Sequence, residues 1–315
     1  MNQFSIAADN ESRLLKRLWI YQKERFPVFG HIPLVAAFTF SAIAYSRICA
    51  GKEGFVPWDR FAVGMITTVT LFLLVRIFDE FKDREEDAKY RPGLPVPRGL
   101  ISLRELATIG ILIAFLQIIL NGIFTPKMLL LYFVVIGYLL LMGKEFFIGQ
   151  WLKKHPFWYV TSHMLIIPLV DIYASGIDWL LEGTGAPKGL IYFFIVSYFN
   201  GIVLEIGRKI RAPEEESEGV LTYSSMLGVK KATWLWVIIL FITLGWAVAA
   251  SWFAGYGKTG LALLGIVFLV CALPAFLFLI HRTAKKSKLI EYASALWTIA
   301  MYLSLGGIPM VLKLF

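Results

Sequence analysis

Four acidic residues stand close together at Asp79, Glu80, Asp83 and Asp87, within the stretch Asp79-Glu80-Phe81-Lys82-Asp83-Arg84-Glu85-Glu86-Asp87. If a helix runs through it, Glu80, Asp83 and Asp87 share one face, and Asp79, Asp83 and Asp87 form a second row at i, i+4 and i+8. Carboxylates at this density repel one another unless a cation binds among them. Hard oxygen donors suit Mg²⁺, which is commonly held by one or two carboxylates together with substrate phosphates. The cations that follow, Lys89, Arg91 and Arg98, would suit the rest of a polyphosphate. The plain alternative is a solvated, charged helix end.

A second group follows the apolar run that ends near residue 207. It comprises Glu205, Arg208, Lys209 and Arg211, then Glu214, Glu215, Glu216 and Glu218. Glu205 can pair with Arg208 and Lys209 at i+3 and i+4 as a structural network. The functional reading makes Glu205 and one or more of Glu214, Glu215 and Glu218 a second metal-binding wall. Arg76 lies one turn before Glu80 inside an apolar run. It either orients Glu80 or touches a phosphate, or it is a purely structural ion pair. Lys144 ends another apolar run, as a snorkelling residue or a diphosphate contact. His31 and His163 read as core histidines, with a place in the lining of a substrate cavity as the alternative. Asp171 reads as structural or outer-surface. No P-loop, dinucleotide fingerprint, HExxH motif or nucleophile triad occurs.

The elements that must position these groups are membrane helices. Of the 315 residues, 58% are hydrophobic, and mean hydropathy is +0.68, well above the roughly 45–50% apolar content of soluble domains. About nine apolar runs reach the ~20 residues a bilayer crossing needs, at roughly 28–48, 58–79, 102–122, 126–147, 154–175, 187–207, 230–252, 259–281 and 290–313. Residues 1–27 read as a cytoplasmic, interfacial amphipathic segment with no cleavable signal peptide, in which Leu14, Leu15, Leu18 and Trp19 mark the apolar side. Residues 28–315 read as a single all-α, nine-helix domain. Alternate connecting segments hold roughly 23 and about 7 of the Lys and Arg residues, which makes the first set cytoplasmic and puts the two chain ends on opposite sides. The net charge of +9 then reflects basic loops beside anionic lipid rather than a nucleic-acid partner. Cys49 and Cys271 give neither metal spacing nor a disulfide framework. Proline and glycine at Pro92, Gly93, Pro95, Pro97 and Gly99 stiffen the first loop. Ser102 with Glu105 predicts a capping box that opens the third span.

These residues resemble the UbiA superfamily of intramembrane prenyltransferases, which has nine transmembrane helices around a central cavity open to lipid. The family's first signature, N-D-x-x-D-x-x-x-D at the end of the second helix, is matched by Asp79-Glu80-x-x-Asp83-x-x-x-Asp87, with Asp and Glu in place of Asn and Asp. Arg91-Pro92 and Gly99-Leu100-Ile101-Ser102 follow in the family's order. The tail of the second signature is matched by Gly219-Val220-Leu221-Thr222 and Leu227-Gly228. Counting back from it puts Arg211 and Glu215 where the family has two aspartates, which is a departure. Lys144 falls where many members carry a lysine.

The resemblance implies an Mg²⁺-dependent enzyme acting on a prenyl diphosphate and a lipophilic, aromatic-type acceptor. It sits among membrane lipids in the cell membrane, with its site facing the cytoplasm. Metal would be held by Asp79, Glu80, Asp83, Asp87, Glu205 and Glu215. The diphosphate would be held by Arg76, Lys89, Arg91, Arg208, Lys209 and Arg211. Asp83, Asp87 and Lys144 would be catalytic. Two other readings stand beside it: a terpene cyclase that uses the same diphosphate without an acceptor, and a non-enzymatic transporter or lipid-binding protein. Gly/Pro-broken spans would favour the last of these; Pro168 and the glycines of the final run are the only candidates.

Overall fold

The computed structural model describes residues 14–217 and 219–314. Among them, nine helices are long and apolar enough to cross a membrane: Val28–Cys49, Trp58–Lys82, Leu103–Phe124, Pro126–Gly143, Pro156–Trp179, Leu190–Arg208, Val229–Phe253, Gly257–Ile280 and Ala284–Leu314. This is an integral, multi-pass, all-α protein.

Span one is the hub. It packs against spans two, five, six and nine, and its polar groups lock it there. Thr39 meets the Thr68 hydroxyl at 2.7 Å, and the Tyr45 hydroxyl donates to the Ala250 carbonyl at 3.0 Å. On the far side, Arg47 and Ser46 both bond Asp178 of span five, at 2.9 and 2.6 Å. Lys52 bonds Asp178 and Glu182, each at 2.9 Å. Gly306 of span nine is where this packing is closest. A Cβ there would stand 2.2 Å from the Ser41 carbonyl oxygen.

Span three is mostly lipid-facing, with Ile111, Leu112, Phe115 and Ile119 exposed. Unpaired polar groups in hydrocarbon cost several kcal/mol, so its two buried amides bond inward. Gln117 donates to Thr70 at 2.7 Å and accepts from the Tyr132 hydroxyl at 2.9 Å, while Asn121 accepts from Tyr173 at 2.7 Å. Its start is the capping box read from Ser102 and Glu105.

Two spans are discontinuous. Span five breaks at Leu165, because Pro168 has no N–H to give the Met164 carbonyl. Span nine passes through a π-helical turn at Leu303–Gly307. Both coincide with the breakers seen in the sequence. Pro33 and Pro274 interrupt nothing: each lies inside an assigned helix.

Two placements correct the sequence reading. Asp171 is not at an outer surface: it is fully buried within span five, because the span runs on eight residues to Trp179. His31 is not in the core. It is half-exposed at the start of span one, where it stacks on Phe26.

An amphipathic helix, Leu14–Arg25, precedes span one. Tyr21 and Leu18 pack inward against Ile77, Ile101 and Leu106, while Leu15 and Trp19 stay exposed. Residues 1–13 of the proposed interfacial segment lie outside the described residues. The connector after span four is unusual. Glu145, Phe146 and Phe147 all have positive φ (48°, 53° and 60°), a region that non-glycine residues enter only at a cost. Phe146 is held edge-on to Tyr138 and His163, and Glu145 lies over Gly149.

Candidate functional site

Span two ends at Lys82, and a short helix, Arg84–Tyr90, follows it. Asp83 is the joint, serving as the last cap of one helix and the first of the next. No glycine or proline marks this break. Helical bonding runs on through it, from the Asp83 amide to the Asp79 carbonyl at 2.9 Å and from the Asp87 amide to the Asp83 carbonyl at 2.8 Å.

Asp79 and Asp83 lie on one face. Lys82 stands between them, 3.3 Å from Asp79 and 3.8 Å from Asp83. Its ammonium also donates to the Tyr159 hydroxyl of span five at 3.0 Å. Tyr159 stacks on His163, whose Nδ1 meets the Tyr159 carbonyl and whose buried Nε2 has no partner. Tyr159 and His163 lie close enough to Asp79 to feel its charge. So does Arg208 of span six, which is paired with Glu205. Glu205 also takes Lys209 at 2.7 Å, as its i+3 and i+4 spacing predicts. Arg208 is 55% exposed along its side chain, so its guanidinium is open on the side away from Glu205. Tyr223, after span six, closes this face, and burial followed by the Glu205 charge pushes its phenol up.

Glu80 and Asp87 are engaged by arginines, while Asp87 stays close enough to Asp83 for its charge to act on it. The Arg25 Nε donates to Glu80 at 2.6 Å, and its Nη2 pairs with Asp87 at 3.6 Å. Arg76 adds a bond to Glu80 at 3.0 Å, and Arg91 one to Asp87 at 3.2 Å. Both acids are almost fully buried. They border a small cleft with Arg84, Val96, Pro97 and Leu103, which neither Asp79 nor Asp83 lines. Arg76 therefore acts as an ion-pair partner of the motif, reaching Asp79 as well at 3.6 Å.

The second acidic loop makes its own contacts. Its three consecutive glutamates each have a separate partner. Glu214 accepts from the Ala284 amide at 2.8 Å, Glu215 from Ser287 at 2.5 Å, and Glu216 from Thr222 at 2.7 Å. Arg211 reaches Glu215 at 3.8 Å. The loop is thus fastened to the start of span nine and to its own turn, and Glu215 is engaged there by Ser287. Glu218 lies outside the described residues. At Gly219, with φ +76°, a Cβ would collide with Tyr90, so the two loops touch there. Lys89 is exposed beside the Tyr90 ring, and Lys144 is exposed with no ion-pair partner among the described residues.

Among the described residues, no three acidic, histidine or cysteine side chains converge as a ready metal cage. Asp79 and Asp83 do fit a hard divalent cation that keeps water and substrate oxygens as its other ligands. Both are partly exposed on one face, and burial, partly offset by Lys82, holds Asp83 above the usual carboxylate range. Glu80 and Asp87 fit it poorly, because arginines already occupy them. The sequence singled out neither Arg25 nor Lys82. Lys82 lies inside the motif and was open to suspicion; Arg25 gave no local signal.

Comparison with known proteins agrees with this architecture. The profile of the UbiA prenyltransferase family matches residues 25–307. No curated protein matches the chain. Among solved structures, the chain is similar to the apo form of a UbiA homologue from Aeropyrum pernix K1 (TM-score 0.65, 14% identity, covering 90% of this chain and 98% of that one). It is also similar to a digeranylgeranylglyceryl phosphate synthase (TM-score 0.57, 15% identity, covering 93% and 99%). A third is a UbiA homologue from Archaeoglobus fulgidus bound to DMAPP and Mg²⁺ (TM-score 0.52, 12% identity, covering 88% and 98%).

Proposed function

Because this chain belongs to the UbiA prenyltransferase family, we propose that it transfers an isoprenoid group from a prenyl diphosphate to a lipophilic acceptor within the membrane. The observation that carries this reading is the face shared by Asp79, Asp83, Tyr159 and Arg208, where acidic and cationic groups meet at the end of an apolar bundle. Relatives with this fold bind DMAPP or GPP together with Mg²⁺, which supports the same pair of ligands here.

Asp79 and Asp83 would hold the Mg²⁺. When bound, it neutralises charge on the diphosphate leaving group. Arg208 lies within reach of the Asp79 charge, the open side of its fork suits two phosphate oxygens, and Lys209 pairs with Glu205 beside it. Lys144, Lys89 and Arg91 supply further positive charge at the same end of the bundle. In the reaction, the C1–O bond of the prenyl diphosphate breaks and its electrons leave with the diphosphate. The acceptor's electrons then form a bond to C1, and a proton leaves the acceptor. Apolar side chains keep water from the allylic cation, and aromatic faces stabilise it. The concentration of cations in the loops at this end supports a site that faces the cytoplasm.

The test is product analysis by mass spectrometry. Purified protein would be incubated with Mg²⁺ and prenyl diphosphates of several lengths, first without and then with candidate aromatic and lipid acceptors, beside Asp83→Ala. A prenylated acceptor, absent from the variant, is the expected result. A cyclic hydrocarbon or terpene alcohol formed without acceptor would replace transfer with cyclisation. No product, and no effect of Mg²⁺ on diphosphate binding, would leave a lipid-binding or transport role.

A further inference from the structure

A second cleft adjoins the one beside Glu80 and Asp87, and Arg84 and Leu103 line both. Its other walls include Gly99 of the stiff loop and Ser102, Arg104 and Glu105 at the start of span three. Most arginines around the motif are spent on acids. Arg17, Arg25, Arg76, Arg91 and Arg98 each hold a carboxylate. Arg84 and Arg104 hold none among the described residues, and both are exposed. Glu105, the acid in the cleft wall, is already engaged. It pairs with Arg17 at 2.8 Å and accepts from the Ser102 amide and hydroxyl, each at 2.8 Å. The cleft therefore presents two unpaired guanidinium groups beside a neutralised carboxylate. The first turn of span three forms part of the wall, and a helix start favours an anion further.

The level of the cleft narrows the choice of anion. Span two ends at Lys82, so Arg84 lies just beyond it, and Arg104 is the second residue of span three. Here the apolar spans give way to water, which is where phospholipid headgroups lie. From Arg104 a stripe runs along span three through Thr108, Ile111, Phe115 and Ile118, at i+4, i+7, i+11 and i+14, on one face of the helix. All four are exposed, the three apolar ones by 58%, 61% and 36%. At 1.5 Å per residue the stripe is about 21 Å long, enough to follow an acyl chain through the ~15 Å of one leaflet's hydrocarbon. We propose that this cleft binds an anionic phospholipid of the leaflet at this end of the bundle, with its phosphate between Arg84 and Arg104 and one acyl chain along the stripe on span three. The arginine forks match phosphate oxygens, and basic pockets between membrane helices hold lipid headgroups elsewhere. A free phosphate would leave the stripe unused. The proposal is independent of the prenyl diphosphate reading.

The experiment uses the purified full chain and measures lipid binding by native mass spectrometry. Phosphatidylglycerol is compared with phosphatidylcholine of the same chain length. The variants are Arg84→Gln, Arg104→Gln and the two combined. Lys230→Gln/Lys231→Gln, which removes two exposed cations at the start of span seven, is the control. Each arginine variant should bind phosphatidylglycerol about fivefold more weakly, and the pair about 25-fold, with phosphatidylcholine unaffected. The control should keep the wild-type preference. Phosphatidylglycerol with a photoactivatable acyl chain should label residues 104–119 in wild type, and the label should fade in the arginine pair. The proposal is overturned if the arginine pair keeps the preference for phosphatidylglycerol. It is overturned equally if the control loses as much, which would mean a diffuse attraction between basic loops and lipid. Displacement of the lipid by millimolar inorganic phosphate would show a site for a free anion and would also overturn it.

Discussion

The Lys82 ammonium donates to the Tyr159 hydroxyl at 3.0 Å while standing between Asp79 and Asp83. One side chain thus joins the end of span two to the start of span five and neutralises the pair of acids best placed to hold a cation. Lys82 and a metal ion compete for the same charge.

Replacing Lys82 with glutamine should therefore separate stability from affinity. The variant loses a charge-assisted hydrogen bond, worth about 1.5–3 kcal/mol, and its thermal midpoint falls. Its apparent affinity for Mg²⁺ or Mn²⁺ should rise by about tenfold, since a cation a few ångströms away has been removed. Tyr159→Phe should lower stability without that gain. Metal titration by calorimetry or Mn²⁺ paramagnetic resonance distinguishes the two. A loss of metal affinity in Lys82→Gln would mean that Lys82 helps the site instead of competing with it.

Gly306 allows span nine to lie backbone-to-backbone on span one, with the Ser41 carbonyl oxygen 2.2 Å and its Cα 2.7 Å from where a Cβ would stand. Neither atom can rotate away. Gly306→Ala should cost about 1–3 kcal/mol or more, and Ser41→Gly should not rescue it, because the clash is with backbone. Thermal unfolding of the single and double variants in one detergent is the check.

Asp171 is fully buried beside Ser197, and its carboxylate has no cationic partner among the described residues. A buried acid left in this state detracts from stability. Asp171→Leu should raise unfolding free energy by about 1–3 kcal/mol. A variant that melts earlier than wild type would show that the carboxyl is satisfied in the folded protein.

The ion cluster on the far side gives a pH prediction. The Lys52 hydrogen bond, helped by Arg47 and opposed by burial, holds Glu182 below the usual carboxylate range. Burial opposes the charge on Lys52, but Glu182 and Asp178 together raise it above the usual lysine value. A lowered acid stabilises fully above its unfolded value, near ~4.3, and loses that contribution as pH falls through the folded value. A raised lysine stabilises fully below its unfolded value, near ~10.4, and loses that contribution as pH rises through the folded value. The difference in thermal midpoint between wild type and Lys52→Ala should therefore be flat from about pH 5 to about pH 10 and shrink on both sides. A difference that does not change below pH 4 would remove Glu182 from the account.

Much of this was legible in the sequence, for local reasons. The spans follow from runs of apolar residues, the capping box from Ser102 and Glu105, and the pairs Arg76–Glu80 and Glu205–Lys209 from helical spacing. What stayed hidden depends on contacts between distant segments. Arg25 lies 55 residues from Glu80, and nothing around it marks it out from other cations of an amphipathic helix. The break at Asp83 has no glycine or proline to announce it, so a continuous helix was the natural expectation. Asp171 was misjudged in depth because where span five ended could be read only to within a few residues.

The left-handed turn at Glu145–Phe147 has a mechanical consequence. A hinge is a place where the chain can bend at little cost; this connector is a loaded spring. Each L-residue held in that region costs about 1–2 kcal/mol, and the load is balanced by Phe146 wedged against Tyr138 and His163 and by Glu145 folded over Gly149. Because His163 also stacks on Tyr159, the ring that takes the Lys82 hydrogen bond, any slackening at Phe146 is passed directly to the acidic face. Under heat or pulling force the joint between spans four and five would give way early, and the site would lose its shape while the bundle around it still stood.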